Sequence, residues 1–371
     1  MERYKNMKLR KLANVKMIRN LIFFIALIAL TFWLLFKDQD LNELINVINK
    51  ADKTYIFIAL FLMFCVYLME SINIRSILIS LGENKFSILR AFKYTAIGSF
   101  FSAITPAATG GQPVEIYYMS KDGIKPSNGT LTMLIQLCGF QISTITLSLI
   151  CACINPSLLS GGIFWFYLLG IGINSIALTF MLIATFSEKI TKIFLNLTLK
   201  FMKKANIKNY NLRKQKLEDG LNRYFESSKY IKKHKKEFIK AILRVFVQII
   251  IYHAIPYFIY RSFGLNDLSF FDMFVMQAIL YTTVSGIPLL GSIGVSETLF
   301  LKLYGTAFGT KLLSGAMLLY RFVSFYLYII LFSVVVIINA VKSKNLESQI
   351  DKDVKEVEKD YKQANNLVYT N

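Results

Sequence analysis

Two short stretches of this chain carry the residue types that could do chemistry. The first reads T-P-A-A-T-G-G-Q-P-V-E, from Thr105 to Glu115, and the second I-P-L-L-G-S-I-G-V-S-E, from Ile287 to Glu297. In each, a Pro precedes a Glu by nine residues with two glycines between them: Pro106, Gly110, Gly111 and Glu115, then Pro288, Gly291, Gly294 and Glu297. Pro and Gly interrupt a helix, and glycine allows close backbone approaches that a side chain forbids. Pro113 suits the first turn of a helix that restarts there. A restarted helix offers free N–H groups and a partial positive charge, which attract phosphate or carboxylate. The two acids have two readings. Each stands three residues after a candidate N-cap, Gln112 or Gly294, where a Glu can bond back to the cap's N–H. Alternatively, a carboxylate in a polar membrane cavity recognises a cationic or hydroxylated headgroup or carries a proton.

Other ionisable residues sit inside apolar runs. Arg321, within LLYRFVSFYLY, is a candidate phosphate contact or ion-pair partner of Glu297. Glu70 and Arg75 are five apart and share a helix face poorly, so each is expected to find a partner across helices. Arg244 and Arg261 fall near span ends, where long side chains snorkel to headgroups. Gln136 and Gln141 are expected to hydrogen-bond between helices. No metal or cofactor site is expected. His234 and His253 are far apart, the four cysteines lie in apolar runs, and Cys151 and Cys153 are too close for the usual zinc spacing. No catalytic constellation stands out.

The elements that must position these residues follow from composition. Of 371 residues, 54% are apolar and 18% charged, against about 25% charged in a soluble domain. The net charge of +20 is segregated, with basic flanks beside long apolar runs. Attraction to anionic headgroups and the positive-inside bias account for it, so nucleic acid is not the expected partner. Residues 1–17 form a basic cytoplasmic N-terminus, residues 18–341 the transmembrane domain, and residues 342–371 a charged cytoplasmic tail. No cleavable signal peptide is evident. Full spans are expected at Ile18–Phe36, Tyr55–Leu81, Ser127–Ile154, Gly161–Phe186, Phe238–Tyr260 and Leu312–Val341. The insert at 187–237 holds fifteen Lys or Arg against five acids and belongs in the cytoplasm. It reads as basic helix extensions.

Orientation arithmetic handles the two broken stretches, Ala91–Ser120 and Asp272–Gly309. With the N-terminus inside, two spans return the chain inside at Lys85, and the basic insert is inside as well. Two spans already lie between those points, so Ala91–Ser120 must enter and return on one side. Asp272–Gly309 then enters and returns on the other, which leaves both termini in the cytoplasm. The expected fold is an all-α polytopic membrane protein with about six full spans and two Pro/Gly-broken re-entrant helix pairs. The pattern is that of an inverted repeat.

The segments G-S-F-F-S-A-I-T-P-A-A-T-G-G-Q-P-V-E-I-Y-Y-M and G-I-P-L-L-G-S-I-G-V-S-E-T-L-F-L-K-L-Y-G resemble the two signature segments of the lysylphosphatidylglycerol synthase transmembrane (flippase-like) family. The resemblance extends over roughly Ile18 to Val341. The second segment departs from the family's frequent Pro-Gly-Gly, with Pro288-Leu289-Leu290-Gly291 in its place. The resemblance implies a membrane unit that moves aminoacylated phospholipid between leaflets and so contributes to membrane charge and cationic-peptide resistance. In the synthase branch, a soluble C-terminal domain makes that lipid from lysyl-tRNA and phosphatidylglycerol. About thirty residues follow the last span here, so the chain is expected to be the translocation unit alone, with lysyl transfer left to a separate partner domain. Two alternatives are a phosphatidylglycerol lysyltransferase and a transporter of another polyprenyl- or glycan-linked lipid. The expected partners are phospholipid headgroups in the cell membrane.

Overall fold

A computed structural model describes residues 41–105, 108–159, 162–204, 210–285 and 295–340. The basic N-terminus, the predicted span Ile18–Phe36, the charged tail, and Pro106, Pro288, Gly291 and Gly294 lie outside these residues. Every element among the described residues is helical. In chain order they are α1 Leu41–Lys50, α2 Lys53–Ser80, α3 Ile88–Ile104, α4 Gly111–Lys121, α5 Pro126–Ile154, α6 Gly162–Phe186 and α7 Glu188–Lys204. These are followed by α8 Tyr210–Lys233, α9 Lys235–Ser262, α10 Phe270–Ser285 and α11 Val295–Arg321. A π-turn at Phe322–Tyr326 leads into α12 over residues 327–340. Five helices among the described residues are long and apolar enough to cross a membrane: α2, α5, α6, α9 and the stretch Thr298–Ala340.

Local chemistry sets the helix ends. Asp52 caps α2, its carboxylate accepting the Thr54 N–H at 2.8 Å. Past the end of α2, Gly82 adopts φ +85 while the Glu83 N–H reaches back to the Leu78 carbonyl at 3.1 Å, closing the helix end. Pro126 opens α5, where its missing N–H costs nothing.

The central axis is the antiparallel pair α2 and α9. The Asp52 N–H donates to the Ser262 carbonyl at 2.8 Å, Gln248 to Glu70 at 3.3 Å, and Arg244 to Asn73 at 3.4 Å. These contacts run the length of both helices and give the bundle two ends. At the end where α2 finishes, Arg75 donates to the Phe86 carbonyl at 2.6 Å, and Glu83 accepts from Asn128 at 2.7 Å and from the Lys125 N–H at 3.1 Å.

Both broken stretches are helix hairpins. In the first, α3 and α4 are antiparallel. Ser102 and Gly98 meet Gly111, Gly98 meets Glu115, and Lys93 and Arg90 pair with Asp122. The hairpin enters and leaves at the α2 C-terminal end. In the second, Phe270 at the start of α10 packs on Tyr257, ring centroids 5.3 Å apart, and Phe308 packs on Tyr260 and Phe263. Entry and exit therefore lie together at the opposite end, beside the α9 C-terminus. At 17 and 16 residues, α3 and α10 reach only about 24–26 Å, short of the ~30 Å hydrocarbon core. The two hairpins thus enter the bundle from opposite ends, as the orientation arithmetic predicts. Gly309, at φ +63, breaks α11 where the chain turns from the hairpin into its final crossing. That boundary also matches the sequence reading.

The basic insert forms α7 and α8. Instead of simply extending its neighbours, α8 folds back beneath the bundle. Its Tyr224 and Phe225 join Ile77, Leu131, Ile135 and Ala241 in a small core, and Ser228 donates to the Thr185 carbonyl at 2.5 Å. α6 has the opposite character: Trp165, Ile176 and Phe180 are exposed, as expected of a lipid-facing helix.

This arrangement predicts sidedness. Single cysteines replacing Asn49 and Asn266 should react with an impermeant thiol reagent from one side of the membrane, and a cysteine replacing Lys214 only from the other. Labelling of all three from one side would overturn the two-ended bundle.

Candidate functional site

The first hairpin is the best-defined candidate. Its bend is held by Thr105, whose hydroxyl donates to the Phe101 carbonyl at 2.7 Å and accepts the Gly110 N–H at 2.9 Å. Ala108 sits at φ +54, an unusual conformation for a residue with a Cβ. Gly110 is the N-cap of α4 and supplies no side-chain cap. The N–H groups of Gly111 and Gln112 thus open the helix without a capping side chain, and Pro113 falls in the first turn, as predicted.

The glycines are needed for approach rather than for φ. A Cβ on Gly111 would collide with the Ser102 hydroxyl and the Gly98 carbonyl, and a Cβ on Gly110 with the Thr105 side chain. Gly98, which the sequence reading did not single out, matters equally. A Cβ there would occupy the space of the Glu115 carboxyl. Two helices can only pack this tightly where one of them lacks a side chain.

For Glu115 the structure corrects the capping alternative. The N-cap is Gly110, not Gln112, so Glu115 is the fifth residue of α4 and cannot fold back to cap it. It lies inward against Gly98, 5% exposed, with no hydrogen-bond partner among the described residues. Glu297 stands third in α11. Its side chain, and with it any pairing with Arg321, falls outside what is described.

A second carboxylate, half-buried Glu70 of α2, belongs to the same interior. Gln248 of α9 donates to it at 3.3 Å. Ser71, next to Glu70, donates to Thr95 of α3 at 3.0 Å, one helical turn before Gly98. That bond brings the Glu70 turn of α2 beside the stretch of α3 whose Gly98 meets Glu115. Glu70 thus does find a partner across helices, whereas Arg75 turns to a nearby backbone carbonyl. Arg244 does not snorkel outward. It turns in to Asn73, which donates to Gln136. Arg261 rests on the Tyr55 ring at 5.5 Å. Gln136 forms its expected interhelical bond, while the buried Gln141 Oε1 lacks a partner among the described residues.

The wall beyond Gln248 is a phenol and amide chain. Tyr252 and Tyr320 hydroxyls share a bond at 2.9 Å, Gln277 donates to Tyr320 at 2.7 Å, and Tyr304 donates to Gln277 at 3.1 Å. Arg321 is 8% exposed at the end of α11 and lies 5.7 Å from the Phe325 ring centroid. The sequence reading missed this chain, because lone Tyr and Gln residues in apolar runs carry no spacing signal. Among the described residues, no cluster of three His, Cys, Asp or Glu could hold a metal ion.

The mouth of the hairpin is closed by charge. Arg90 and Lys93 pair with Asp122, and Tyr94 donates to it at 2.7 Å. Partial burial opposes charge on Asp122, but the hydrogen bonds from Lys93 and Tyr94 and the two cations outweigh it. They hold its carboxyl below the usual value of 3.8. A depressed folded value means this latch stabilises the protein above the unfolded value and is lost as pH falls through the folded one.

Fold and site together define a polytopic α-helical membrane protein with polar, ionisable groups enclosed between its spans. Residues 21–331 match the family described as "Lysylphosphatidylglycerol synthase TM region", and the chain belongs to that family. It is also similar to a "UPF0104 membrane protein" of Archaeoglobus fulgidus, 23% identical over 329 residues, covering 85% of this chain and 96% of the relative.

Two predictions follow from the packing. Gly98→Ala should lower the apparent melting temperature in detergent by the equivalent of about 1–3 kcal/mol of overpacking. Gly172→Ala, where a Cβ meets nothing within 4 Å, should be neutral or mildly stabilising; equal losses in both would contradict the close approach. Asp122→Asn should remove the acid-side pH dependence of the melting temperature that the latch contributes, and an unchanged pH profile would show that the latch carries no linkage.

Proposed function

We propose that this protein moves a phospholipid with an anionic or aminoacylated headgroup, of lysylphosphatidylglycerol type, between the leaflets of the cell membrane. Such movement contributes to membrane charge and to resistance against cationic peptides. The observation that carries the proposal is Glu115, a buried carboxylate without a protein partner among the described residues. It stands one turn inside a helix start that bears no side-chain cap, in a hairpin that enters the bundle from one end. A carboxylate and helix-start N–H groups suit a lipid carrying both an amine and a phosphate. Backbone broken at membrane depth must be buried in protein or line a wet cavity, and a headgroup pathway is such a cavity.

In this reading Pro106, Gly110, Gly111 and Pro113 shape the first hairpin, and Glu115 contacts the headgroup. Pro288, Gly291, Gly294 and Glu297 do the corresponding work in the second, and Arg321 meets phosphate. The basic helices α7 and α8 attract anionic headgroups on the cytoplasmic side, with both termini on that side. Family membership also favours a second reading, phosphatidylglycerol lysyl transfer, with a separate domain supplying the chemistry.

Purified protein in vesicles should speed the leaflet exchange of a labelled lysylated phospholipid relative to empty vesicles. Incubated with lysyl-tRNA and phosphatidylglycerol, it should form no lysylphosphatidylglycerol. Glu115→Gln should slow exchange by about tenfold or more, the effect of losing one charge-assisted contact. Exchange no faster than in empty vesicles would refute the translocase reading, and product formation by the chain alone would overturn the assignment of lysyl transfer to a separate domain.

A further inference from the structure

Two carboxylates from different helices, Glu70 and Glu115, face one interior, and among the described residues no cation pairs with either. Lys93 is committed to Asp122, and Arg244, one turn before Gln248 on α9, donates to Asn73 at 3.4 Å. Arg321 lies 5.7 Å from the Phe325 ring centroid. Among the described residues, the phenols packed near this interior are Tyr67 from α2, Tyr252 from α9, Tyr281 from α10, Tyr304 and Tyr320 from α11 and Tyr328 from α12. His253 on α9 turns its Nδ1 to the Ile249 carbonyl at 2.6 Å. Two like charges close together in a low-dielectric interior disfavour each other, and one of the pair then keeps a proton.

An independent observation points to where that proton sits. Gln248 is 5% exposed. Its amide Nε2 donates to Glu70 Oε2 at 3.3 Å, yet its Oε1 is a buried acceptor with no partner among the described residues. A buried orphan acceptor costs about 1–3 kcal/mol. A neutral carboxylic acid presents one acceptor and one O–H donor side by side, complementary to a carboxamide's donor and acceptor. An ionised Glu70 satisfies only half of Gln248, whereas a protonated one can satisfy both halves.

We propose that Glu70 and Glu115 share a single proton, held against the Gln248 carboxamide, and that its uptake and release gate the α3–α4 hairpin. With the proton on the pair, the dry seat of Glu115 beneath Gly98 carries less charge and the hairpin packs as observed. Loss of the proton to water leaves two carboxylates in that seat, and the hairpin must loosen to admit water or a cationic headgroup. The gating half of the proposal rests on the lipid-handling reading; the shared proton does not.

Infrared difference spectra of the protein in vesicles report the proton directly, through the C=O stretch of a neutral carboxylic acid. The band should be present near neutral pH, vanish on alkalinisation, and be lost or moved to lower pH in Glu70→Gln and in Glu115→Gln. Gln248→Leu, which keeps the side chain's bulk, should shift the band's frequency, so the test does not depend on either acid variant folding. Absence of the band at neutral pH, its persistence unchanged in both acid variants, or its displacement by sodium ions would each overturn the shared proton. In the same vesicles, a pH gradient should accelerate lipid exchange in the unaltered protein and not in Glu70→Gln. A normal band with exchange no faster than in empty vesicles leaves the proton site standing and removes the lipid reading. A normal band with exchange indifferent to the gradient overturns the gating.

Discussion

A peptide group left unpaired within a bilayer costs several kcal/mol, and the whole arrangement follows from the need to break helices there nonetheless. The chain stops α3 at Ile104 and restarts α4 at Gly111. Ala108 and Thr109 in the turn are exposed, and local contacts hold the bend. Thr105 pairs with one carbonyl and one N–H, and helix α4 is drawn so close to α3 that Gly98 and Gly111 cannot carry side chains. The long spans α2 and α5 pack on the hairpin, α2 through the Ser71–Thr95 bond and α5 through Gly129 against Ile116 and Met119.

Enclosure explains why the ionisable groups lie where they do. In water, Glu70, Glu115, Arg244 and Arg321 would be unremarkable surface residues. Between spans, each must find a partner, a proton or a ligand. Arg244 finds Asn73, which in turn donates to Gln136, and the phenols of Tyr252, Tyr304 and Tyr320 satisfy one another through Gln277. Glu115 finds no such partner among the described residues, and Gln248 keeps one unpaired acceptor. Gln141, Ser143, Thr144, Arg261 and Thr282 also keep unpaired buried polar atoms among the described residues, and Glu115 with Gln248 is the place where such an atom stands beside a carboxylate pair.

The second hairpin extends the same logic to the opposite end of the bundle. Asn174 of α6 donates to the Thr282 carbonyl at 3.3 Å and to Ser285 at 3.1 Å, at the very end of α10. Gly170, one turn earlier, lets α6 touch the α10 backbone. A span helix thus braces each short helix, here at its terminus by a side-chain amide and in the first hairpin near the middle of α3 by the Ser71–Thr95 bond.

Hydropathy, charge asymmetry and Pro/Gly spacing by themselves determined the helical class, the placement of the described spans, and the existence and ends of both broken segments, down to the turn at Gly309. Those features are local, because a span needs a certain length of apolar chain and a break needs residues that cannot propagate a helix. Only the tertiary structure decided what the acids do. Counting from Gln112 makes Glu115 a cap, and the fold makes it a buried group, because the helix is capped at Gly110 and α3 presents a glycine at that height. Equally beyond sequence were the inward turn of Arg244, the fold-back of α8, and the meeting of Glu70 with Gln248, which stand 178 residues apart. Such meetings depend on the rotation and register of packed helices, and no spacing within a single helix encodes them.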